Sequence, residues 1–156
     1  NISNIGLYYA QPLTEKNVKV KLSDVSVKDW KTVGMPAEAA NAIDGDPQTV
    51  WTAKALTPLV VDMGKASEVI GFSYAPAQKE DLTGTIYKYN FYVSIDGKNW
   101  TKCDAGGEFS NIMHNPVPYF VRFGKKYPAR YFKLEPVAEI NNKPATTVGE
   151  VGILLK

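Results

Sequence analysis

From Lys88 to Ile95 the chain alternates without a break, with Tyr89, Phe91, Val93 and Ile95 on one side and Lys88, Asn90, Tyr92 and Ser94 on the other. A period of two marks a strand with one buried face. Such a strand cannot cover its own apolar side, so the segment calls for antiparallel neighbours and a second layer over its aromatic face. Asp96-Gly97 follows at once, a pair suited to a hairpin turn because glycine takes a positive φ. Turn residues recur at short intervals elsewhere, and Val117–Phe123 and Arg130–Pro136 read as two further strands. The one helical hint is Pro36 to Ala42, with Pro36 placed for a first helical turn. With 156 residues the chain suits one domain, burying about two-thirds of the surface its unfolded form exposes. The expectation is an all-β, single-domain sandwich.

Residues 1 to 17 read as a lead-in or linker from a preceding domain, and 18 to 156 as the module itself. No apolar run approaches the roughly 20 residues that span a bilayer. Asn1 onward lacks the basic segment and apolar core of a signal peptide, which favours a piece of a longer protein.

Catalytic chemistry is poorly provided for. The single histidine, His114, lies in a turn-rich stretch with no nucleophile at a suggestive spacing, and the single cysteine, Cys103, permits no internal disulfide. One histidine and one cysteine are too few for an ordinary zinc site. Glu80-Asp81 reads as a solvated loop pair, and nothing resembles a nucleophile elbow. The net charge of +2 and the lone Lys125-Lys126 cluster give no basic stripe for nucleic acid. Trp51 and Trp100 read as core residues, and Trp30 as a packed strand residue rather than a stacking platform.

Two distant segments point to a cation. Asn41 to Trp51 carries Asp44, Gly45, Asp46 and Thr49, and Gly149-Glu150-Val151 adds a carboxylate near the other end. Calcium takes six to eight oxygens from carboxylates, hydroxyls and backbone carbonyls. Asp44-Gly45-Asp46-Pro47 alone also describes a tight turn; Glu150 is what favours the cation.

These two segments, with four more, carry a resemblance. Pro58-Leu59-Val60-Val61-Asp62-Met63-Gly64, Gly71 to Pro76, Gly84 to Trp100 and Ala129-Arg130-Tyr131-Phe132-Lys133-Leu134 follow in order from about residue 25 to the end. Together they resemble the discoidin family, the coagulation factor V/VIII C-type domains, and within it bacterial family-32 carbohydrate-binding modules appended to glycoside hydrolases of the α-fucosidase or β-hexosaminidase (chitobiase) type. The resemblance implies a discoidin-like (galactose-binding-domain-like) jelly-roll β-sandwich. It implies a non-catalytic module of a secreted, periplasmic or surface-held bacterial enzyme, whose partners are a glycan and the catalytic domain of its own polypeptide.

The resemblance also implies a structural calcium held by the side chains of Asp44, Thr49 and Glu150 and the carbonyls of Asn41, Asp46 and Gly149. The family often has alanine where Gly149 stands, a change a carbonyl ligand would tolerate. The family's sugar-binding histidine and arginine fall on Thr52 and Ala77, and its loop aromatic near Ala145. The candidate ligand contacts left are Thr52, Lys54, Gln78 and Asn142. Membrane-binding relatives use apolar loop tips, for which this chain offers only Leu56 and Leu82, so membrane binding is not expected. The alternative is a structural or protein-contact module with a degenerate sugar site.

Overall fold

The computed structural model describes residues 29–45, 49–77, 82–109 and 118–155. The lead-in at 1–17, the boundary at residue 18, and Asp46, Gln78, Glu80, Asp81 and His114 lie outside the described residues. Among the described residues eight strands follow in chain order: β1 (Lys31–Thr32), β2 (Trp51–Ala53), β3 (Leu59–Ala75), β4 (Ile86–Ser94), β5 (Thr101–Glu108), β6 (Tyr119–Glu139), β7 (Thr146–Val148) and β8 (Glu150–Leu155). A six-residue 3₁₀ helix, Ala37–Ala42, starts after Pro36 where the sequence hinted at helix. The larger sheet has the order β1-β3-β6-β4-β5, with β8 on the far half of β3, and β2 pairs with β7 in a small second sheet. All pairings between these strands are antiparallel, as expected of a discoidin-type sandwich.

The predicted strands at 117–123 and 130–136 are not separate. They merge into β6, which runs through Gly124-Lys125-Lys126 and Pro128. The cause is long-range pairing: β3 also continues through Gly64–Glu68, setting Ser67 opposite Ala129, Glu68 opposite Pro128 and Val69 opposite Tyr127. Lys126 and Glu68 add an ion pair at 3.6 Å. Register shifts between Asp62 and Ser67 and between Val69 and Gly71 absorb the irregularity, as bulges do. One half of β3 thus meets β1 and the other β8. Beside the first shift, Arg130 holds both oxygens of Asp62, at 2.8 and 3.0 Å, and keeps that carboxyl below its ordinary range.

Strand β4 keeps its alternation, with Tyr89, Phe91 and Val93 buried between β5 and β6. Ile95, expected on the same face, is instead 52% exposed. The strand ends at Ser94 because Asp96 organises the turn beyond it. Its carboxylate accepts the Lys98 and Asn99 N–H groups at 2.8 Å, the Asn99 amide at 2.7 Å and the Ser94 hydroxyl at 3.0 Å. The Asn99 and Lys98 backbone donors, first among these, hold the Asp96 carboxyl far below the usual carboxylate range.

The core is aromatic at its centre. Phe72 on β3 stacks on Phe91 of β4 at 4.2 Å and meets Tyr89 edge-on at 5.3 Å. Trp51 and Trp30 are buried, Trp30 edge-on to Phe132 at 5.5 Å. Trp100 departs from its expected core role. It is half-buried on the outer face, with the Lys133 ammonium 4.6 Å from its ring centre.

Candidate functional site

Two candidate sites lie on loops at the two ends of the β2–β7 pair. The first joins the loop after the 3₁₀ helix to the start of β8. The Thr49 hydroxyl donates to the Asp44 carboxylate and lies 3.3 Å from the Asn41 carbonyl oxygen. The Asn41 amide closes the loop by donating to the Val50 carbonyl at 3.2 Å. From the far end of the chain, Glu150 accepts the Gly45 N–H at 3.0 Å. Asn41, Asp44, Thr49 and Glu150 are therefore neighbours, and every donor atom they offer a cation is oxygen. Among the described residues no group of three or more His, Cys, Asp or Glu side chains gathers. The set fits a hard cation served by two carboxylates plus hydroxyl and carbonyl oxygens, not a thiolate or imidazole site.

Gly149, between β7 and β8, donates to the Ala75 carbonyl at 2.8 Å. A Cβ there would lie 2.9 Å from the Ala75 oxygen and 3.0 Å from that of Pro76. Backbone rather than a movable side chain occupies that space, so glycine suits this position in this chain.

The second site is an open depression of about 460 Å³ between the loop after β2, the end of β6 and the loop before β7. Leu56, Val137 and Pro144 form apolar walls, and Asn142 and Lys143 bring polar atoms to the rim. Leu56 and Val137 are 40% and 47% exposed, large apolar side chains left open to solvent. Of the predicted ligand residues, Asn142 lines this depression. Thr52 is exposed on β2 opposite Thr147, and exposed Lys54 stands outside the lining. Ala77 is buried at 3% exposure and so presents nothing to a ligand.

The loops around the depression are tied from beneath by Glu139, at the end of β6 and 2% exposed. Its Oε2 accepts the Gly84 N–H at 2.7 Å, and its Oε1 accepts those of Asn141 at 2.5 Å and Lys143 at 2.9 Å. One carboxylate thus anchors two loops. The Tyr74 hydroxyl works alongside it, donating to the Thr147 carbonyl at 2.8 Å and accepting the Ile86 N–H at 3.0 Å. Complete burial pushes that phenol well above its ordinary range. Thr146 links the remaining loop, its hydroxyl donating to Ala55 O at 2.8 Å and accepting Thr57 N–H at 3.0 Å. Gly84 has φ +96°, and a Cβ there would fall 2.1 Å from the Thr147 hydroxyl oxygen.

A family model described as F5/8 type C domain matches residues 23–151. The chain belongs to the F5/8 type C family. Among curated relatives, a galactose oxidase from Gibberella zeae is 29% identical over 143 residues, covering 84% of this chain and 20% of that protein. The F5/8 type C chain spans about a fifth of the length of the curated relatives it matches. Its fold is that of family-32 carbohydrate-binding modules. CBM32-5 from Clostridium perfringens, solved in complex with GalNAc-β-1,3-galactose, superposes with a TM-score of 0.71 at 22% identity, covering 83% of this chain and 98% of that one. A putative α-L-fucosidase from Bacteroides ovatus is 34% identical with a TM-score of 0.64, covering 85% of this chain and 19% of that one.

Sequence reasoning on this F5/8 type C chain missed Glu139, Tyr74, Thr146 and Thr147. All four are buried, Tyr74 on β3, Glu139 at the end of β6, and Thr146 and Thr147 on β7. For Glu139 the one available signal was a carboxylate just before Asn141-Asn142, a turn in which Asn142 takes φ 57°.

Proposed function

We propose that this F5/8 type C chain is a non-catalytic carbohydrate-binding module of a longer, exported bacterial glycan-degrading enzyme. Its role is to hold glycan weakly and keep the catalytic domain of the same polypeptide near its substrate. The observation that carries the reading is the depression beside Asn142. Apolar walls for the less polar face of a sugar ring, with a few convergent polar groups, are what a small neutral ligand needs. Loops on a rigid sandwich are also where binding residues concentrate. Among the described residues no aromatic lines the depression, and Thr52 and buried Ala77 replace the family's histidine and arginine, so affinity for galactose is expected at millimolar or weaker, about 4 kcal/mol.

Isothermal titration with galactose, N-acetylgalactosamine, N-acetylglucosamine and fucose tests this, repeated on a Leu56→Ala/Asn142→Ala variant. Weak binding lost in the variant is expected; micromolar galactose binding that survives it would mean the site is elsewhere. The missing aromatic, histidine and arginine favour a second reading, a structural or protein-contact module. Absence of any hit across a glycan array would select it.

A structural calcium belongs to the same proposal. The side chains of Asp44, Thr49 and Glu150 and the carbonyls of Asn41, Asp46 and Gly149 would hold it, and it would brace the loop against β8. A site occupied only in the folded state stabilises by about 2.7 kcal/mol at a hundredfold excess over its dissociation constant. Chelator is therefore expected to lower the melting temperature of the protein, and Asp44→Ala or Glu150→Ala to remove that sensitivity. An unchanged melting curve in chelator, with no metal by elemental analysis, would leave a plain hydrogen-bonded loop.

A further inference from the structure

One wall of the depression, Leu56, stands on the connection at 54–58 between β2 and β3. A leucine on a loose bend folds back onto the nearest apolar surface, because its exposure to water is unfavourable. Leu56 instead remains 40% exposed. The backbone on both sides of it is held. The Thr146 hydroxyl donates to the Ala55 carbonyl at 2.8 Å and accepts the Thr57 N–H at 3.0 Å, so one side chain brackets Leu56. The Thr57 hydroxyl adds a second bond to the Ala55 carbonyl at 3.0 Å. Pro58 then biases Thr57 to extended backbone. Thr146 is 0% exposed on β7 and stands opposite Ala53, the last residue of β2.

Thr146 bears on the facing wall as well. Pro144 lies two residues before it, in a bend closed by the Ala145 N–H donating to the Lys143 carbonyl at 2.9 Å. Glu139 fixes the other side of that bend through the Asn141 and Lys143 N–H groups. One buried hydroxyl therefore ties the Leu56 wall to the strand that carries the Pro144 wall, and so sets the gap between them. Order already present in the free protein does not have to be created when a ligand arrives.

We propose that Thr146 is a positioning and specificity-determining residue of the depression. Fully buried, it touches no ligand; it holds Leu56 outward and fixes how wide a group the walls accept. This role rests on the depression being a sugar site, and nuclear magnetic resonance tests the two separately. Thr57 amide exchange and Leu56 methyl order report the bracket, and titration with galactose, N-acetylgalactosamine, N-acetylglucosamine and fucose reports binding. Thr146→Val removes the hydroxyl at nearly constant shape. It is expected to speed Thr57 exchange, to free the Leu56 methyls, and to weaken binding about twofold to tenfold, the range that ordering one side chain costs. Thr146→Ser keeps the hydroxyl and should restore all three. On a Leu56→Ala background Thr146→Val should weaken binding no further, and Phe72→Leu, which loosens the core elsewhere, should leave affinity unchanged. If wild-type protein binds none of the four sugars while Thr146→Val still frees Leu56, the sugar reading fails and the bracket stands. Equal Leu56 order in Thr146→Val and wild type, or a Thr146→Val loss of affinity that persists without Leu56, would overturn the proposal.

Discussion

Glu139→Ala is expected to lower the melting temperature by about 10 °C, at about 2–4 °C per kcal/mol for a domain of this size. The carboxylate is 2% exposed and accepts N–H groups from Gly84, Asn141 and Lys143. Each buried donor left without a partner costs about 1–3 kcal/mol, so losing all three comes to about 3–5 kcal/mol once the exposed end of the loop regains water. Glu139→Gln should cost less, because it keeps one acceptor oxygen but turns an amide N–H₂ toward a backbone donor. The loop holding Asn142 also loses its anchor, so whatever binds in the depression should bind more weakly in both variants. Val137→Ala, nearby on β6 but exposed, is the control and should change the melting temperature little. Thermal melts followed by circular dichroism would decide it, and equal shifts for the Glu139 and Val137 variants would refute the anchoring role.

Phe72→Ala should be comparably damaging for a different reason. Phe72 is fully buried, stacked on Phe91 at 4.2 Å, and within 6.3 Å of the rings of Phe109 and Phe123 as well as Tyr89. Truncating a core phenylalanine costs about 3–5 kcal/mol through lost transfer energy and the cavity left behind. That is a large share of the roughly 5–15 kcal/mol that holds a domain folded. Because Phe72 lies on the half of β3 flanked by both β6 and β8, the loss should loosen several strands together. Phe72→Leu, which refills most of the volume, should cost about 1.5 kcal/mol or less. Urea unfolding midpoints of the two variants give the comparison; similar midpoints would mean the cluster relaxes around the gap.

Fold class and family were legible in the residues because they rest on local, repeated signals. The alternation at Lys88–Ser94 and the Asp96-Gly97 turn each report a preference that neighbours in the chain enforce directly. The loop of Asn41, Asp44 and Thr49 was legible in part for the same reason, since its hydrogen bonds span fewer than ten residues.

What the chain could not reveal by itself depends on contacts across long stretches of sequence. Whether 117–123 and 130–136 were one strand or two was decided by β3 on the other side of the ladder, which carried pairing through Gly64–Glu68. Ile95 matched the pattern of Phe91 and Val93, but the Asp96 turn ended the strand one residue sooner and left it in solvent. A carboxylate in sequence reads as solvated, yet Glu139 is buried because Gly84, 55 residues away, brings it a backbone donor. Trp100 and Lys133 carry no mark of each other, and only the register of β4 with β5 and β6 sets a lysine over that ring. Periodicity and turn residues determined that this would be an all-β sandwich, and the ordered motifs carried its resemblance to the discoidin family. The placement of its polar groups was decided by tertiary structure, because a buried polar atom is tolerated only where a distant segment supplies its partner.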